Sequence, residues 1–241
     1  MQVNNYTHIS EIYTDLMSHI NYSKWAKYIY EITKDYVSDN PFVLDVTAGN
    51  GLLTRYMKEY YNNILMNDLS YEMLNNSDLE VYKVCSDIRF LPFKAKFDLV
   101  ISNYDSINYL LTENDVEKAF TEVANILAPN GIFTFDVTLE SNCLQFITPI
   151  YYNSKYKRYH YYYKTQYDKI RRIHTTTIDV YNDIGQKFSE VHEQKIYDLE
   201  TIFYLLDKAN LEVLRCYECF TTNIATEESK RAQFITKLYR D

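Results

Sequence analysis

Two of the chain's four glycines, Gly49 and Gly51, stand two residues apart between a short apolar run and a helical stretch. No other feature constrains the fold as much. The run Phe42-Val43-Leu44-Asp45-Val46 has the look of a strand buried on both faces. Before it, Trp25, Ile29, Ile32 and Tyr36 recur at helical spacing on one face, and Pro41 ends that stretch. A buried strand running through small residues into a helix sets N–H groups and a positive helix end at the carboxyl edge of a sheet. Ligands of open α/β folds bind there, and small residues let them touch the backbone.

The rest of the chain alternates accordingly. A helix is expected from Gly51 to Tyr61, a strand at Ile64-Leu65-Met66, a short helix from Ser70 and a strand from Glu80 to Cys85. Phe97 to Ser102 reads as the fourth strand, Thr112 to Leu127 as a helix, and Pro129-Asn130-Gly131 as the turn into a fifth strand, Ile132 to Asp136. Such alternation implies parallel strands with crossover helices. After residue 150 the texture changes. Lys155 to Lys164, Arg171 to Tyr181 and Lys187 to Ile196 suggest three antiparallel strands, with a turn at Asn182-Asp183-Ile184-Gly185. A helix from Leu199 to Ala209 and strands from Glu212 to Phe220 and Gln233 to Tyr239 return to the main sheet.

The expected fold is therefore α/β: a Rossmann-like, seven-stranded, mostly parallel sheet with helices on both faces and an inserted antiparallel β subdomain. We expect one domain over 1–241, with a helical cap at 1–40 and the insertion at 150–197. The net charge of −8 argues against a polyanionic partner. No apolar run is long enough for a membrane span, and the start lacks a basic-then-apolar signal, so a cytoplasmic protein is expected.

The loop itself narrows the ligand. A nicotinamide enzyme would want Gly-x-Gly-x-x-Gly, but position 54 is Thr, and no phosphate-binding Lys follows. Asp68 lies at the end of the second strand, where a carboxylate can accept hydrogen bonds from both hydroxyls of a ribose. Together, Asp45-Val46-Thr47-Ala48-Gly49-Asn50-Gly51, Asp68-Leu69-Ser70-Tyr71-Glu72-Met73-Leu74, Asp87-Ile88 with Leu91-Pro92-Phe93, Phe97-Asp98-Leu99-Val100-Ile101 and Leu127-Ala128-Pro129-Asn130-Gly131 resemble the class I S-adenosylmethionine-dependent methyltransferases over residues 6–138. Tyr13-Thr14-Asp15-Leu16-Met17, Asp105 to Leu110 and Val191 to Tyr197 look like blocks of a bacterial small-molecule subgroup. Thr47 departs from the family's first Gly, so its backbone must keep a negative φ.

The resemblance implies S-adenosyl-L-methionine as cofactor and methyl transfer to nitrogen or oxygen of a small molecule. It places Asp45, Thr47, Ala48, Gly49 and Gly51 at the methionine end, Asp68 at the ribose and Asp87 at the adenine amino group, with Leu69, Met73 and Ile88 beside them. Asn103 and Tyr104 would line the space near the reacting methyl, and Tyr13 and Trp25 would cover it. No metal is implied. A neutral amine needs only its lone pair presented, whereas a hydroxyl wants a base; Asp105 and His192 are the catalytic candidates. Each also fits a structural role, as a helix cap or a hydrogen-bonded surface histidine.

Other features have ordinary readings beside functional ones. Cys216 and Cys219 have C-x-x-C spacing, but a strand would point them to opposite faces. The basic, tyrosine-rich stretch Lys155 to Arg172 would suit RNA, and an RNA methyltransferase is the second enzyme reading; a half-exposed strand pair explains the same residues. A silent cofactor-binding module is the third reading. Tyr28, Tyr30, Tyr60 and Tyr61 fit amphipathic packing.

Overall fold

The computed structural model describes residues 9–10, 13–156, 159–182 and 184–239. The chain enters through α1 (Tyr13–Leu16) and α2 (Tyr22–Thr33), then alternates: β1 (Phe42–Asp45), α3 (Leu52–Met57), β2 (Asn63–Asp68), α4 (Tyr71–Asn75), β3 (Lys83–Cys85), β4 (Phe97–Ser102), α5 (Glu113–Ile126) and β5 (Leu127–Thr138). After α6 (Glu140–Cys143) come four strands in a row: β6 (Ile150–Tyr156), β7 (Tyr159–Asp168), β8 (Ile173–Tyr181) and β9 (Lys187–Lys195). Then α7 (Leu199–Lys208), β10 (Leu211–Glu218) and β11 (Arg231–Leu238) complete the chain.

The main sheet has the order β10-β11-β5-β4-β1-β2-β3, with β11 antiparallel to both neighbours and the other pairings parallel. Successive residues of its central strands serve two cores, as the period of two requires. Val43, Leu99 and Ile101 pack with Trp25, Ala26, Ile29 and Met57 of α2 and α3. Leu44, Val100, Phe133 and Phe135 pack with Val116, Phe120, Val123, Ile202 and Leu205 of α5 and α7. Helices thus cover both faces. Side chains close the exposed N–H groups at four helix starts: Asn21, Ser70, Thr112 and Asp198 accept from Lys24, Met73, Asp115 and Thr201.

Three sequence expectations change. The helix after Gly51 ends at Met57 rather than Tyr61, and the third strand is shortened to Lys83–Cys85. Pro129-Asn130-Gly131 is not a turn before a strand; it is an irregularity within β5, where Phe97 faces Leu127 but Leu99 faces Ile132. Gly131 permits it: a Cβ there would stand 2.5 Å from the Phe97 carbonyl oxygen and 3.0 Å from Ala128 N. Gly131→Ala is therefore expected to lower stability by about 2 kcal/mol, read from the urea midpoint at unchanged slope. An unmoved midpoint would mean that the two strands spread at no cost.

The second sheet, β6-β7-β8-β9, is antiparallel throughout and has four strands rather than three. The hairpin between β6 and β7 falls inside the single strand expected from Lys155 to Lys164. Its inner face carries Tyr161, Ile178 and Val180, which pack with Ile9 and the half-buried Leu16 from the N-terminal segment. Among the described residues no helix is long and apolar enough to cross a membrane.

Candidate active site

A cavity of about 490 Å³ opens at the carboxyl ends of β1, β2 and β4, under the N-terminal segment. Its floor is the turn from β1 to α3. Ala48 N donates to Asn67 O and Gly51 N to Ala48 O, each at 2.9 Å, while the Asn67 amide donates to Val46 O. Gly49 has φ +57° and Gly51 φ +82°, values that favour glycine. Thr47 keeps a negative φ, and its hydroxyl lies 2.9 Å from that of Ser102, so the departure from the glycine pattern is accommodated. Gly51 does not line the cavity. It sits behind the turn, where a Cβ would approach Leu79 Cδ1 and Met66 Cε at 2.8 and 2.9 Å.

Four carboxylates, Asp45, Asp68, Asp87 and Asp115, line the floor and walls. Asp45 is buried and accepts from the Thr54 hydroxyl at 2.5 Å; burial pushes its carboxyl up to about 7 and nearby Asp68 adds to this, against the Thr54 hydrogen bond. Asp68 accepts from Gly49 N (2.7 Å) through one oxygen and from Ser70 N (2.9 Å) through the other. Burial raises its pKa, held back by those N–H groups. Burial also opposes ionisation of Asp87, but the Arg89 guanidinium, 2.6 Å from its Oδ2, outweighs this and lowers the pKa. Arg89 reaches on to Asp115 at 2.8 Å.

On the opposite wall, Asn103 is buried, and both polar atoms of its amide lack a partner among the described residues. Buried polar groups are almost always bonded, so an orphaned amide facing a cavity marks a ligand position. Tyr104 and Asp105 follow it at φ +63° and +51°, two left-handed non-glycine residues in succession. Tyr13, Trp25, Thr47, Ala48, Leu69, Met73, Ile88 and Tyr104 also face this cavity.

A family model described as a methyltransferase domain matches residues 44–135, from β1 to β5. YqeM of Bacillus subtilis (strain 168), provisionally named a methyltransferase, is 27% identical over 239 residues, covering 95% of each chain. A crystal structure titled as an S-adenosylmethionine-dependent methyltransferase from Clostridium acetobutylicum ATCC 824 superposes with a TM-score of 0.83 at 26% identity, covering 98% of this chain and 100% of that one. The chain is an S-adenosylmethionine-dependent methyltransferase. The sugar N-methyltransferase KedS8 of Streptoalloteichus sp ATCC 53650 shares its fold, with a TM-score of 0.79 at 15% identity over 95% of this chain and 93% of that one.

Neither catalytic candidate from the sequence opens onto the methyltransferase's cavity. Asp105 is instead part of a buried ionic cluster. Its Oδ1 lies 2.8 Å from Arg231 Nη1, its Oδ2 accepts from the Gln194 amide at 2.6 Å, and its backbone N donates to Asp136 Oδ2 at 3.0 Å. Arg231 also pairs with Asp136, and its guanidinium stands 5.5 Å from the ring centroids of both Trp25 and Tyr104. A carboxylate so committed braces the turn beside the cavity and is not a free base. His192 stands behind the cavity wall, with Nδ1 3.3 Å from the Tyr109 hydroxyl.

Sequence reasoning missed Arg89, Tyr22, Tyr109 and Asn50 at the cavity, and Arg231 behind it. Arg89 stands two residues after Asp87 and folds back on it. Several other residues singled out in the sequence are packed into the fold. Cys216 packs into the α5/α7 core and Cys219 into the α2/α3 core, on opposite faces of the main sheet. Tyr30 stacks on Tyr60 at 4.5 Å, and Tyr28 packs on Phe220. Arg172 donates to Ile196 O and pairs with Asp198 at 3.7 Å. Lys157 and Arg158 of the basic stretch, and Asp183 of the expected turn, lie outside the described residues.

Proposed function

We propose that this methyltransferase transfers the methyl group of S-adenosylmethionine to a nitrogen or oxygen of a small molecule bound in the cavity. In this reading the loop Thr47-Ala48-Gly49 and Asp45 serve the methionine moiety, with Gly51 shaping the turn from behind. Asp68 takes the ribose hydroxyls, Asp87 the adenine amino group, and Leu69, Met73 and Ile88 the apolar edges. Asn103 and Tyr104 face the reacting end; Tyr13 and Trp25 cover it. The carrying observation is that one cavity gathers all of these except Gly51, together with the orphaned Asn103 amide.

The bound sulfonium supplies an electrophilic methyl carbon, so this chain's residues have mainly to align an acceptor with it and keep water out. The lining favours a small, uncharged or cationic acceptor over a polyanion. Among the described residues that line it, Arg89 is the cation, and Asp87 and Asp115 already hold it. Asp45 and Asp68 add negative charge, and Tyr13, Tyr22, Tyr104 and Tyr109 present phenol groups. A solved relative by fold, titled an amino pentose methyltransferase, CalS10, supports an acceptor of this size.

The test is label transfer from methyl-labelled donor to a panel of amines and phenols, with RNA as a parallel arm. Transfer to an amine or phenol is expected. Salt-sensitive transfer to RNA alone would replace this reading with the RNA one. Donor binding without transfer to anything would favour a silent binding module.

The floor carboxyl Asp45 adds a pH signature. With its pKa raised to about 7, it holds a proton near neutrality and gives it up beside a cation. Affinity for the cationic donor should climb with pH, by up to about tenfold per unit below about pH 7, and level off above it. Calorimetry in buffers of different ionisation enthalpy should show a released proton. A flat affinity with no proton exchange would mean that Asp45 does not sense the donor's charge.

A further inference from the structure

We infer that Tyr109 receives the proton of the methyl acceptor, and that His192 and Glu190 form the buried path that takes it away; this rests on the reading that an acceptor occupies the cavity. Tyr109 ends the 3-10 turn Ser106–Tyr109, directly after the braced Asp105, and its ring lines the cavity. Its hydroxyl lies 3.3 Å from His192 Nδ1, with the two rings edge to face at a centroid distance of 6.0 Å. The other imidazole nitrogen, Nε2, lies 3.3 Å from Glu190 Oε2. Glu190 Oε1 accepts from Ile9 N at 3.1 Å, which fixes the carboxylate against the N-terminal segment. A cavity phenol, an imidazole and a carboxylate therefore stand in line.

The line is costly to build for stability alone. Glu190 and His192 are each 5% exposed, and burying such a pair gains less than apolar side chains would. The same inner face shows what packing alone selects: Tyr161 and Val180 pair across β7 and β8, and Ile178 sits directly opposite Glu190. Alternation along β9 sends Glu190, His192 and Gln194 to that one face, and Gln194 reaches Asp105. The strand thus both braces the turn that carries Tyr109 and supplies a proton sink behind it.

The step balances. A lone pair of the acceptor nitrogen or oxygen forms the new bond to the methyl carbon, while the carbon–sulfur bond breaks and its electron pair stays on sulfur as a neutral thioether. The acceptor's proton passes to Tyr109 Oη as the Tyr109 proton passes to Nδ1. The positive charge lost from sulfur ends on the His192 imidazolium, beside the Glu190 carboxylate. The starting tautomer carries its proton on Nε2, facing Glu190. Tyr109 touches the acceptor and is the catalytic residue; His192 and Glu190 act through it. Other titratable groups nearby include Tyr13, which interacts with Tyr109, Asp105 at the start of the same turn, and His174 on β8, which interacts with Gln194 and Asp105.

The test is ¹⁵N-histidine NMR of the S-adenosylhomocysteine complex across pH, in the wild type, Tyr109→Phe and Glu190→Gln. The Nε2 resonance of His192 should move in Glu190→Gln, and the Nδ1 resonance should move in Tyr109→Phe. With the acceptor from the panel, Tyr109→Phe should lose about 100-fold in kcat at little change in KM. In Glu190→Gln the acid limb of the pH profile should move to lower pH, which a structural role would not cause. His192 ring resonances indifferent to both changes, or wild-type kcat in Tyr109→Phe, would overturn the relay. Failure of the wild type to bind S-adenosylhomocysteine would instead sink the cavity reading, and this inference with it.

Discussion

Arg231→Met is expected to destabilise the protein by about 3–5 kcal/mol, the loss typical of removing one partner from a buried ion pair. Arg231 sits at the start of β11, joined to Asp105 and Asp136 and flanked by the Trp25 and Tyr104 rings. Asp136 is fully buried. Methionine fills part of the volume but leaves two carboxylates without a counter-charge. Lysine should recover only part of the loss, because a single ammonium cannot fork between two carboxylates while stacked on rings. The pH dependence gives the sign. Burial raises the Asp136 carboxyl, and Arg231 opposes that rise. Without Arg231 the folded-state pKa climbs further above the unfolded one, so Asp136 stays protonated to higher pH in the folded state. Its contribution is then present at low pH and lost as pH rises through the folded value. The variant's deficit in urea should thus be smaller near pH 5 than near pH 8. Equal deficits at both would mean that Arg231 contributes through packing alone. Trp25 is the single tryptophan, so its emission reports directly on whether the brace has loosened.

Local physics made much of this arrangement legible and long-range pairing hid the rest. The buried run from Phe42 to Val46, the two glycines and Asp68 are local signals, and each stands where the expected sheet edge required it. Gly51 shows the limit even there: its place in the motif is right, but it shapes the turn without facing the cavity. The division between β6 and β7 was illegible because the sequence from Lys155 to Lys164 holds neither Gly nor Pro to punctuate its tyrosine-rich run. Asp105 looked like a base because position after a strand end says nothing about a partner. Its counter-ion lies in the last strand, and a single Arg in a strand leaves no pattern to read. His192 was visible as a candidate; the Tyr109 hydroxyl between it and the cavity depended on how the second sheet packs over the first.

Asp68→Ala should weaken binding of S-adenosylhomocysteine by at least about 100-fold in calorimetric titration, with the fold intact. The carboxylate lies between two tasks. Toward the protein it accepts from Gly49 N at 2.7 Å and from Ser70 N at 2.9 Å, one bond on each oxygen. Asp68 also lines the cavity, where the proposed ribose hydroxyls would donate to its remaining lone pairs. Hydrogen bonds to a charged group contribute about 1.5–3 kcal/mol each, so two lost to the ligand amount to about two to four decades in affinity. The protein-side bonds make the alanine result ambiguous by itself, since a slack Gly49 turn would also weaken binding. Asp68→Asn separates the two. It keeps one acceptor oxygen and the shape, but turns an NH2 group toward either Gly49 or a hydroxyl, so it should fall between wild type and alanine at about 10- to 30-fold. If asparagine binds as tightly as aspartate, the charge is not used on the ribose, and Asp68 serves the loop alone. If alanine also binds normally, the ligand does not occupy this end of the cavity, and the orientation proposed for the cofactor is wrong.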